Sequence, residues 1–200
     1  MKKFIIISIL VVAGLLFILI TLPSKKPSTN GFSSLTISTP FTFKSAKAEQ
    51  LSIEAFDLKE AKKYDEAIHL YREAIKIEPD NPKLFFDLSD CYALLDKLEE
   101  AISLLDTAIT LDGSYAPFYN NRGLYHNNLY EEKKSIVDFK KAIELDPNNY
   151  VYYSNMALSY YYDKDFLNAC EAFEISKGLD LSASDINSSE GLKELNVICK

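Results

Sequence analysis

The stretch YDEAIHLYREAIKIEPD, residues 64–80, decides the fold because the chain repeats its pattern three more times. A small residue and a large apolar residue of this stretch each recur after every 34 residues, without an insertion. A fixed period of this length is typical of stacked supersecondary units that share one continuous core. The recurring residues are Ala67, Ala101, Ser135 and Ala169 at the small position, and Tyr71, Leu105, Phe139 and Phe173 at the large one.

Four consecutive units follow from this period, and each is predicted to be a pair of helices because its apolar residues recur at helical spacing. The eighth residue of every unit is small, so the two helices of a unit can approach closely there. Pro79 and Pro147 are expected to end second helices, and Gly113 to end one through a positive φ. The units are 48–81, 82–115, 116–149 and 150–183, and their eighth residues are Ala55, Ser89, Gly123 and Ala157.

This combination of spacing and residue type resembles the tetratricopeptide repeat (TPR), a helix–turn–helix unit with small packing positions and a terminal proline. The resemblance covers residues 48–183 and implies an all-α fold, a right-handed α-solenoid of four TPR units. Three departures are visible, of which the first two are that unit four ends in Leu181 rather than proline and that Tyr130 stands two residues earlier than the family's turn tyrosine. The position where the family often carries tryptophan holds Leu51, Phe85, Tyr119 and Tyr153.

Residues 184–200 are predicted to form one C-terminal capping helix. Ser184 and Asp185 supply a helix N-cap signal at its start. A terminal repeat leaves an apolar face exposed, and a helix with a polar outer side would cover that face. The apolar stripe of the capping helix comprises Ile186, Leu192, Leu195 and Ile198.

The amino terminus contains an apolar run, FIIISILVVAGLLFILITL, at residues 4–22. As a helix it would be roughly 28 Å long, which matches the hydrocarbon thickness of a bilayer. We interpret it as an uncleaved transmembrane signal-anchor behind the basic N-tail 1–3, with a cleaved signal peptide, and hence secretion, as the alternative. The short basic tail favours a single-pass membrane protein whose repeat domain is extracytoplasmic.

Residues 23–47 are rich in serine, threonine and proline, which is typical of a linker. The piece Phe41-Thr42-Phe43 could instead dock on the first repeat, and the sequence leaves both readings open. All 29 acidic residues lie at or after Glu49, whereas residues 1–47 carry six lysines and no acid. Because binding to nucleic acid needs a basic surface, the acidic repeat region argues against a nucleic-acid partner.

The sequence offers no catalytic set, so we predict that the protein is not an enzyme and needs no cofactor or metal. His69 and His126 have no ligand partner at metal-binding spacing, and no glycine-rich phosphate loop is present. Three cysteines are too few and too scattered for a disulfide framework. Cys91 and Cys170 are expected to be small buried hydrophobes, and Cys199 to be the more reactive free thiol.

The resemblance implies a groove whose inner wall is formed by the first helix of each unit. Asn121 and Asn155 are equivalent, one repeat apart, and their amides could pair with the backbone of an extended peptide. The alternative is that these amides bond only to neighbouring helices or water. Tyr161 and Tyr162 would add flat contact area. The predicted groove residues are Asn120, Asn121, Leu124, Asn128, Asn155, Leu158, Tyr161 and Tyr162.

Chaperone-binding members of the family hold a C-terminal carboxylate with a basic and amide clamp. The matching positions here hold Ser52 and Phe56 in unit one, and Phe86 and Asp90 in unit two, so we expect no carboxylate-clamp chaperone tail as partner. The sequence therefore predicts a membrane-anchored scaffold whose groove binds a protein or peptide segment. The alternative is a permanent structural or accessory subunit of a membrane or envelope assembly, packed through its repeats.

Overall fold

A computed structural model describes residues 40–200 of the chain. The predicted transmembrane segment 4–22 and most of the predicted linker lie outside the described residues. The described range contains ten α-helices and no strand, and none of its helices combines the length and hydrophobicity needed to cross a bilayer. The helices are α1 Ala46–Glu60, α2 Tyr64–Ile77, α3 Pro82–Leu94, α4 Leu98–Leu111, α5 Ala116–Asn128, α6 Glu132–Leu145, α7 Tyr150–Tyr162, α8 Phe166–Gly178, α9 Ala183–Ser188 and α10 Glu190–Ile198.

The eight helices α1 to α8 form the four predicted helix pairs, and each pair is joined by the same tight turn. The fifteenth residue of every unit lies in the left-handed region of backbone space. Its φ is 61° at Lys62, Asp96 and Tyr130, and 65° at Lys164. Tyr130 therefore belongs to an ordinary turn of the array, although the sequence around it departs from the family pattern.

The small eighth residue of each unit is buried, as predicted, because the second helix lies directly against it. At Gly123 the contact is so close that a Cβ atom would stand 2.8 Å from Cε1 of Phe139. Phe139 is itself fully buried. A side chain at position 123 would therefore push the two helices of unit three apart.

The units stack through contacts between the second helix of one unit and the first helix of the next, α2 with α3, α4 with α5 and α6 with α7. The largest core runs from α1 to α5 and includes Tyr71, Leu105 and Phe118. A separate core joins α7 and α8 to α10 around Phe173 and Leu195. The array is thus closed at its C-terminal end by residues beyond the fourth unit.

Gly113 ends helix α4 in a different way from the one predicted. Its φ lies outside the left-handed region, so the expected positive φ was wrong. A Cβ at this position would meet the hydroxyl of Tyr119 at 3.1 Å, and that hydroxyl donates a hydrogen bond to the Gly113 carbonyl. The glycine provides room for Tyr119 rather than conformational freedom.

The C-terminal region forms two short helices, α9 and α10, instead of one capping helix over 184–200. Ser182, not Ser184, is the N-cap of α9, where it forms a reciprocal capping box with Asp185. Ser189 separates the two helices and caps α10. The predicted apolar contacts are present at Leu192 and Leu195, which are 1% and 0% exposed.

The prediction that the cysteines form no disulfide was wrong for two of the three. Cys170 of α8 and Cys199 at the end of α10 form a disulfide, with their Cα atoms 5.2 Å apart. The two residues are 29 positions apart, so only the packing of α10 beside α8 brings them together. Cys91 is a free, fully buried cysteine, as predicted, and burial raises the pKa of its thiol to about 12.

The end of the predicted linker is part of the folded domain. Helix α1 begins at Ala46 with Ser45 as its N-cap, so residues 46 and 47 are helical. Phe41 and Phe43 pack against the largest core. The piece is therefore docked rather than part of a free linker, but Phe41 contacts Tyr115 and Phe118 of units two and three instead of the first repeat.

Candidate functional site

The first helices of the units form the inner side of the array. In the described chain α1 contacts α3, and α5 contacts α7, so the first helices approach one another across the units. This arrangement places the predicted groove residues on α5 and α7, one repeat apart. Helices α1 and α3 form the inner side of units one and two.

The predicted amides of α5 and α7 form one hydrogen-bonded chain rather than a free ladder. The Asn155 amide nitrogen donates to Oδ1 of Asn120 at 2.9 Å, and the Asn120 amide nitrogen donates to Oδ1 of Asn121 at 3.1 Å. Asn121 then donates to Oδ1 of Asp90, at 3.2 Å. Three units are connected in this way, and every amide donor in the chain points toward Asp90.

Asp90 of α3 is the centre of this network. Its Oδ1 also accepts a hydrogen bond from the Tyr125 hydroxyl at 3.0 Å, and its Oδ2 lies 3.6 Å from Nζ of Lys59. Burial, with the Asp90 charge, raises the pKa of Tyr125 well above its usual value, so this phenol stays a donor. Through Lys59 the network reaches unit one and crosses the whole array.

Only some of these amides remain accessible to a ligand. Asn120 and Asn155 are 8% and 1% exposed, whereas Asn121, Leu124 and Asn128 are half-buried on the surface of α5. Oδ1 of Asn155 is buried and has no hydrogen-bond partner among the described residues. The network therefore holds neighbouring helices together, and of the predicted groove amides only Asn121 and Asn128, both on α5, remain at the surface.

Helix α10 covers the part of the inner side that α7 was predicted to present. Leu158 is 9% exposed, and a Cβ on Gly191 of α10 would stand 2.6 Å from its Cδ2 atom. Tyr161 is 4% exposed, and its hydroxyl donates to the Glu194 carboxylate of α10. Burial is the main cause, and Glu194 a second one, of the raised pKa of Tyr161. This packing of α10 over α7 was not predicted, because the capping helix was expected only beyond the last repeat.

The inner side of units one and two is more open and more apolar. Ile53, Phe56 and Leu94 are 52%, 39% and 51% exposed. The lysines on this side are paired, Lys59 with Asp90 and Lys83 with Asp87, where Lys83 donates a hydrogen bond. An extended apolar segment would find exposed side chains here and cations that are already neutralised.

His126 has two carboxylate neighbours that were not predicted from the sequence. Its Nδ1 lies 2.6 Å from Oε2 of Glu131, and its Nε2 lies 4.0 Å from Oδ2 of Asp138. Asp138 is also held by Arg122, through hydrogen bonds of 2.6 and 2.9 Å. These contacts join α5 to α6, and residues 40–200 contain no group of histidine, cysteine and acidic side chains suited to hold a metal.

Comparison with known proteins gives two matching family models, both described as tetratricopeptide repeat, at residues 58–116 and 116–149. Heat shock protein STI1 of Saccharomyces cerevisiae is 34% identical over 90 residues, which are 44% of this chain and 15% of that protein. The small glutamine-rich tetratricopeptide repeat-containing protein 2 of Mycosarcoma maydis is 30% identical over 116 residues, which are 57% of this chain and 32% of that protein. The match thus spans less than a third of either curated relative.

Solved structures extend the comparison. MamA, residues 41 to the end, from Desulfovibrio magneticus RS-1 has a TM-score of 0.68 at 18% identity and covers 77% of this chain and 86% of that one, which shows a shared fold. The first TPR of Spaghetti (RPAP3) bound to the HSP90 peptide SRMEEVD is 30% identical with a TM-score of 0.56, over 57% of this chain and 91% of that one. Because a TPR structure matches over nearly its whole length at this identity, the chain belongs to the tetratricopeptide repeat family.

Proposed function

We propose that this protein is a membrane-anchored scaffold whose TPR groove binds an extended segment of a partner protein. One observation supports the proposal most directly: a relative that is 30% identical over its TPR domain is solved with a peptide bound. The apolar run at residues 4–22 would hold the chain in the membrane. Recruitment from an anchored position raises the effective concentration of the two proteins, so weak binding at the groove would suffice.

The surface that we propose for the partner extends from unit one to α5. It combines the exposed apolar side chains Ile53, Phe56 and Leu94 with the half-buried amides Asn121 and Asn128. Apolar contact would supply most of the affinity, and the amides would fix the direction of the bound backbone. The buried members of the predicted groove, Asn120, Asn155, Leu158 and Tyr161, would support this surface from behind.

We propose further that the partner is not a carboxylate-ended chaperone tail, although the HSP90 peptide SRMEEVD binds the first TPR of Spaghetti. The clamp positions hold Ser52, Phe56, Phe86 and Asp90, and Lys59 is already paired with Asp90. An acidic peptide would meet a carboxylate where a clamp needs a cation. Titration of the full chain with SRMEEVD should therefore give no saturable binding signal, and saturation would contradict this part of the proposal.

Cross-linking and capture from native membranes tests the groove. The groove variant is Asn121→Ala with Asn128→Ala, and the matched control is Val137→Ala with Leu167→Ala on second helices, where these residues are 66% and 81% exposed. Thermal unfolding first establishes that both variants fold as the wild type does. We expect the groove variant to lose a partner that the control retains. Retention of that partner by both variants would contradict a groove interface.

The rival function is a permanent subunit of a membrane or envelope assembly. Val137 and Leu167, with Phe166 at 47% exposure, are the apolar surface that such packing would use. The same capture experiment separates the two functions, because a permanent subunit should lose its partners in the Val137→Ala and Leu167→Ala variant instead. We place the scaffold function first because the related TPR structure is solved bound to a peptide.

We propose that the repeat domain faces an oxidising compartment outside the cytoplasm. The Cys170–Cys199 disulfide supports this location, since structural disulfides persist mainly in secreted and extracytoplasmic proteins. Alkylation of the chain in intact cells with a maleimide tests the location. We expect only Cys91 to react after denaturation without reductant, whereas three reactive thiols would argue for a reducing compartment.

A further inference from the structure

Phe41, just before the first helix, inserts into a pocket of aromatic side chains on units two and three. Its ring stacks on Phe118 at 5.5 Å between centroids, with the ring planes 6° apart. It also meets the ring of Tyr115 edge-on at 5.2 Å, and Phe86 closes the cluster at 5.3 Å from Phe118. Phe86 is an inner-wall position of unit two. The segment before α1 therefore lies against an aromatic cluster that includes one inner-wall residue.

Polar groups of the turn between α2 and α3 hold the same segment, residues 40–45. The Asn81 amide donates to the Thr42 carbonyl at 3.5 Å, and the Ser45 N–H donates to the Glu78 carboxylate. Lys44 is paired with Asp80. The site thus contacts one aromatic side chain, one basic side chain and two backbone groups, which are the features that peptide-recognition sites read.

A comparison within the molecule shows which part of this site is special. Two repeats later, the turn between α6 and α7 has the same arrangement, and Asp146 accepts a hydrogen bond from Asn149 as Glu78 does from Asn81. The cleft there, about 380 Å³, has no docked segment among the described residues. The positions equivalent to the aromatic pocket hold Ser154, Ala183 and Ile186. The acid and the amide are present at both turns, whereas the aromatic pocket is present at the turn between α2 and α3 and not at the turn between α6 and α7.

We propose that the pocket of Phe86, Tyr115 and Phe118, together with Asp80, is a recognition site for an extended partner segment. That segment carries an aromatic residue followed three positions later by lysine or arginine. Residues 40–45 of this chain are its resident ligand, with Phe41 and Lys44 at those two positions. The inference rests on the proposed function, since it names a partner chemistry for the TPR surface, and it adds that the site is closed by the chain itself until a partner displaces the segment.

The ring and the ion pair of the segment are open enough to solvent for exchange, whereas its bonds to the buried Glu78 and Asn81 must be replaced by those of the incoming segment. Phe41 is half-buried, and the side chains of Lys44 and Asp80 are 72% and 57% exposed. An intramolecular ligand competes at an effective concentration in about the millimolar range. A partner must therefore bind with a better aromatic fit or arrive at high local concentration, as two proteins held at one membrane do. The closed site would reject weak or incidental peptides.

A labelled peptide of sequence PFTFKS, which copies residues 40–45, tests the proposal on the full chain in mild detergent. The vacated protein is Phe41→Ala with Lys44→Ala, and thermal unfolding checks that it folds. We expect this variant to bind the probe at least about tenfold more tightly than the wild type, since the resident ligand no longer competes. Equal or absent binding by the two proteins would overturn the proposal and would mean that the segment only stabilises the fold.

Two further probes establish what the site reads. PATFKS should not bind the vacated variant. When Asp80→Lys is added to that variant, PFTFKS should bind more weakly and PFTFES should bind in its place, because the charges of the ion pair are then reversed. Binding of PATFKS as tightly as PFTFKS would overturn the aromatic pocket. A wild-type chain that elutes as a dimer and is made monomeric by PFTFKS would show instead that a second copy supplies the segment. None of these probes touches Asn121 or Asn128, so this test and the groove test can fail separately.

Discussion

The two ends of the described solenoid are closed in different ways. At the C-terminal end, α10 buries Leu192 and Leu195 against α7 and α8, and a disulfide ties Cys199 to Cys170. At the N-terminal end, residues 40–45 lie on the turn between α2 and α3 and are held by the Phe41 ring, by part-buried hydrogen bonds to Asn81 and Glu78, and by an exposed ion pair. One closure is covalent, whereas the other is non-covalent and packs Phe41 and Phe43 against the largest core.

This difference suggests that the two ends of the inner side have different roles, one in stability and the other in binding. The covered end includes Leu158 and Tyr161, which were predicted to bind a peptide but now support α10. The reversible end includes Phe86, whose ring contacts Tyr115 and Phe118 beside the docked Phe41. We infer that ligands enter the array from the side of units one to three. Changes at the C-terminal end should then alter stability, and changes at the N-terminal end should alter binding.

Removal of the disulfide is expected to give the largest loss of stability. The bond closes a loop between residues 29 positions apart, for which chain-entropy accounts give about 3.6 kcal/mol. The variant Cys170→Ser with Cys199→Ser should lose about that much free energy of unfolding, measured by urea denaturation with circular dichroism at 222 nm. Reductant should destabilise the wild type by the same amount and leave the variant unchanged. A wild type that is insensitive to reductant would contradict a covalent closure.

A smaller loss is expected when the contact between α10 and α7 is forced apart. The Gly191→Ala substitution places a Cβ 2.6 Å from Leu158 Cδ2, and overpacking of this kind costs about 1–2 kcal/mol. Gly178→Ala is the matched control, because a Cβ there meets nothing within 4 Å and should leave stability nearly unchanged. Thermal unfolding of both variants provides the measurement. Equal melting temperatures would mean that α10 does not rest on α7 in solution.

The repeat array could be predicted from sequence because its determinants are local and recur. Each unit contains its own small eighth residue and its own turn, so the period alone places the helices. The closures could not be predicted, because they depend on pairs that have no period. Phe41 meets Phe118, and Cys170 meets Cys199, only after intervening helices have packed.

The candidate groove was predicted less well than the fold, for a physical reason visible at two equivalent amides. Asn121 and Asn155 occupy the same position of successive units, yet Asn121 donates to Asp90 and Asn155 donates to Asn120. The residue equivalent to Asp90 in unit three is Leu124, which accepts no hydrogen bond. Residue type at one position therefore cannot fix an amide's partner, which depends on the neighbouring unit.

The smallest expected effects concern two carboxylates near the docked segment, and they differ in sign. Burial raises the pKa of Asp87, against the influence of Lys83, whereas the hydrogen bond from Lys44 lowers the pKa of Asp80. A raised folded-state pKa means that the charged Asp87 opposes folding above that pKa, and that this opposition fades as the pH falls. A lowered one means that Asp80 stabilises the folded state above its unfolded pKa, and that this contribution is lost on acidification.

Urea unfolding of Asp87→Asn and Asp80→Asn between pH 7 and pH 3 checks both signs. At pH 7, Asp87→Asn should be more stable than the wild type, because a neutral amide does not carry the desolvation cost that raises the pKa of Asp87. Its advantage should shrink as the pH falls. Asp80→Asn should be slightly less stable than the wild type at pH 7, and the difference should shrink as the pH falls toward 3. If Asp80→Asn instead equalled the wild type at every pH, Lys44 would make no contact worth measuring in solution, and the aromatic pocket alone would hold the segment. The N-terminal closure would then be even easier to open than the C-terminal one, and partner selection would depend on the aromatic residue rather than on the lysine.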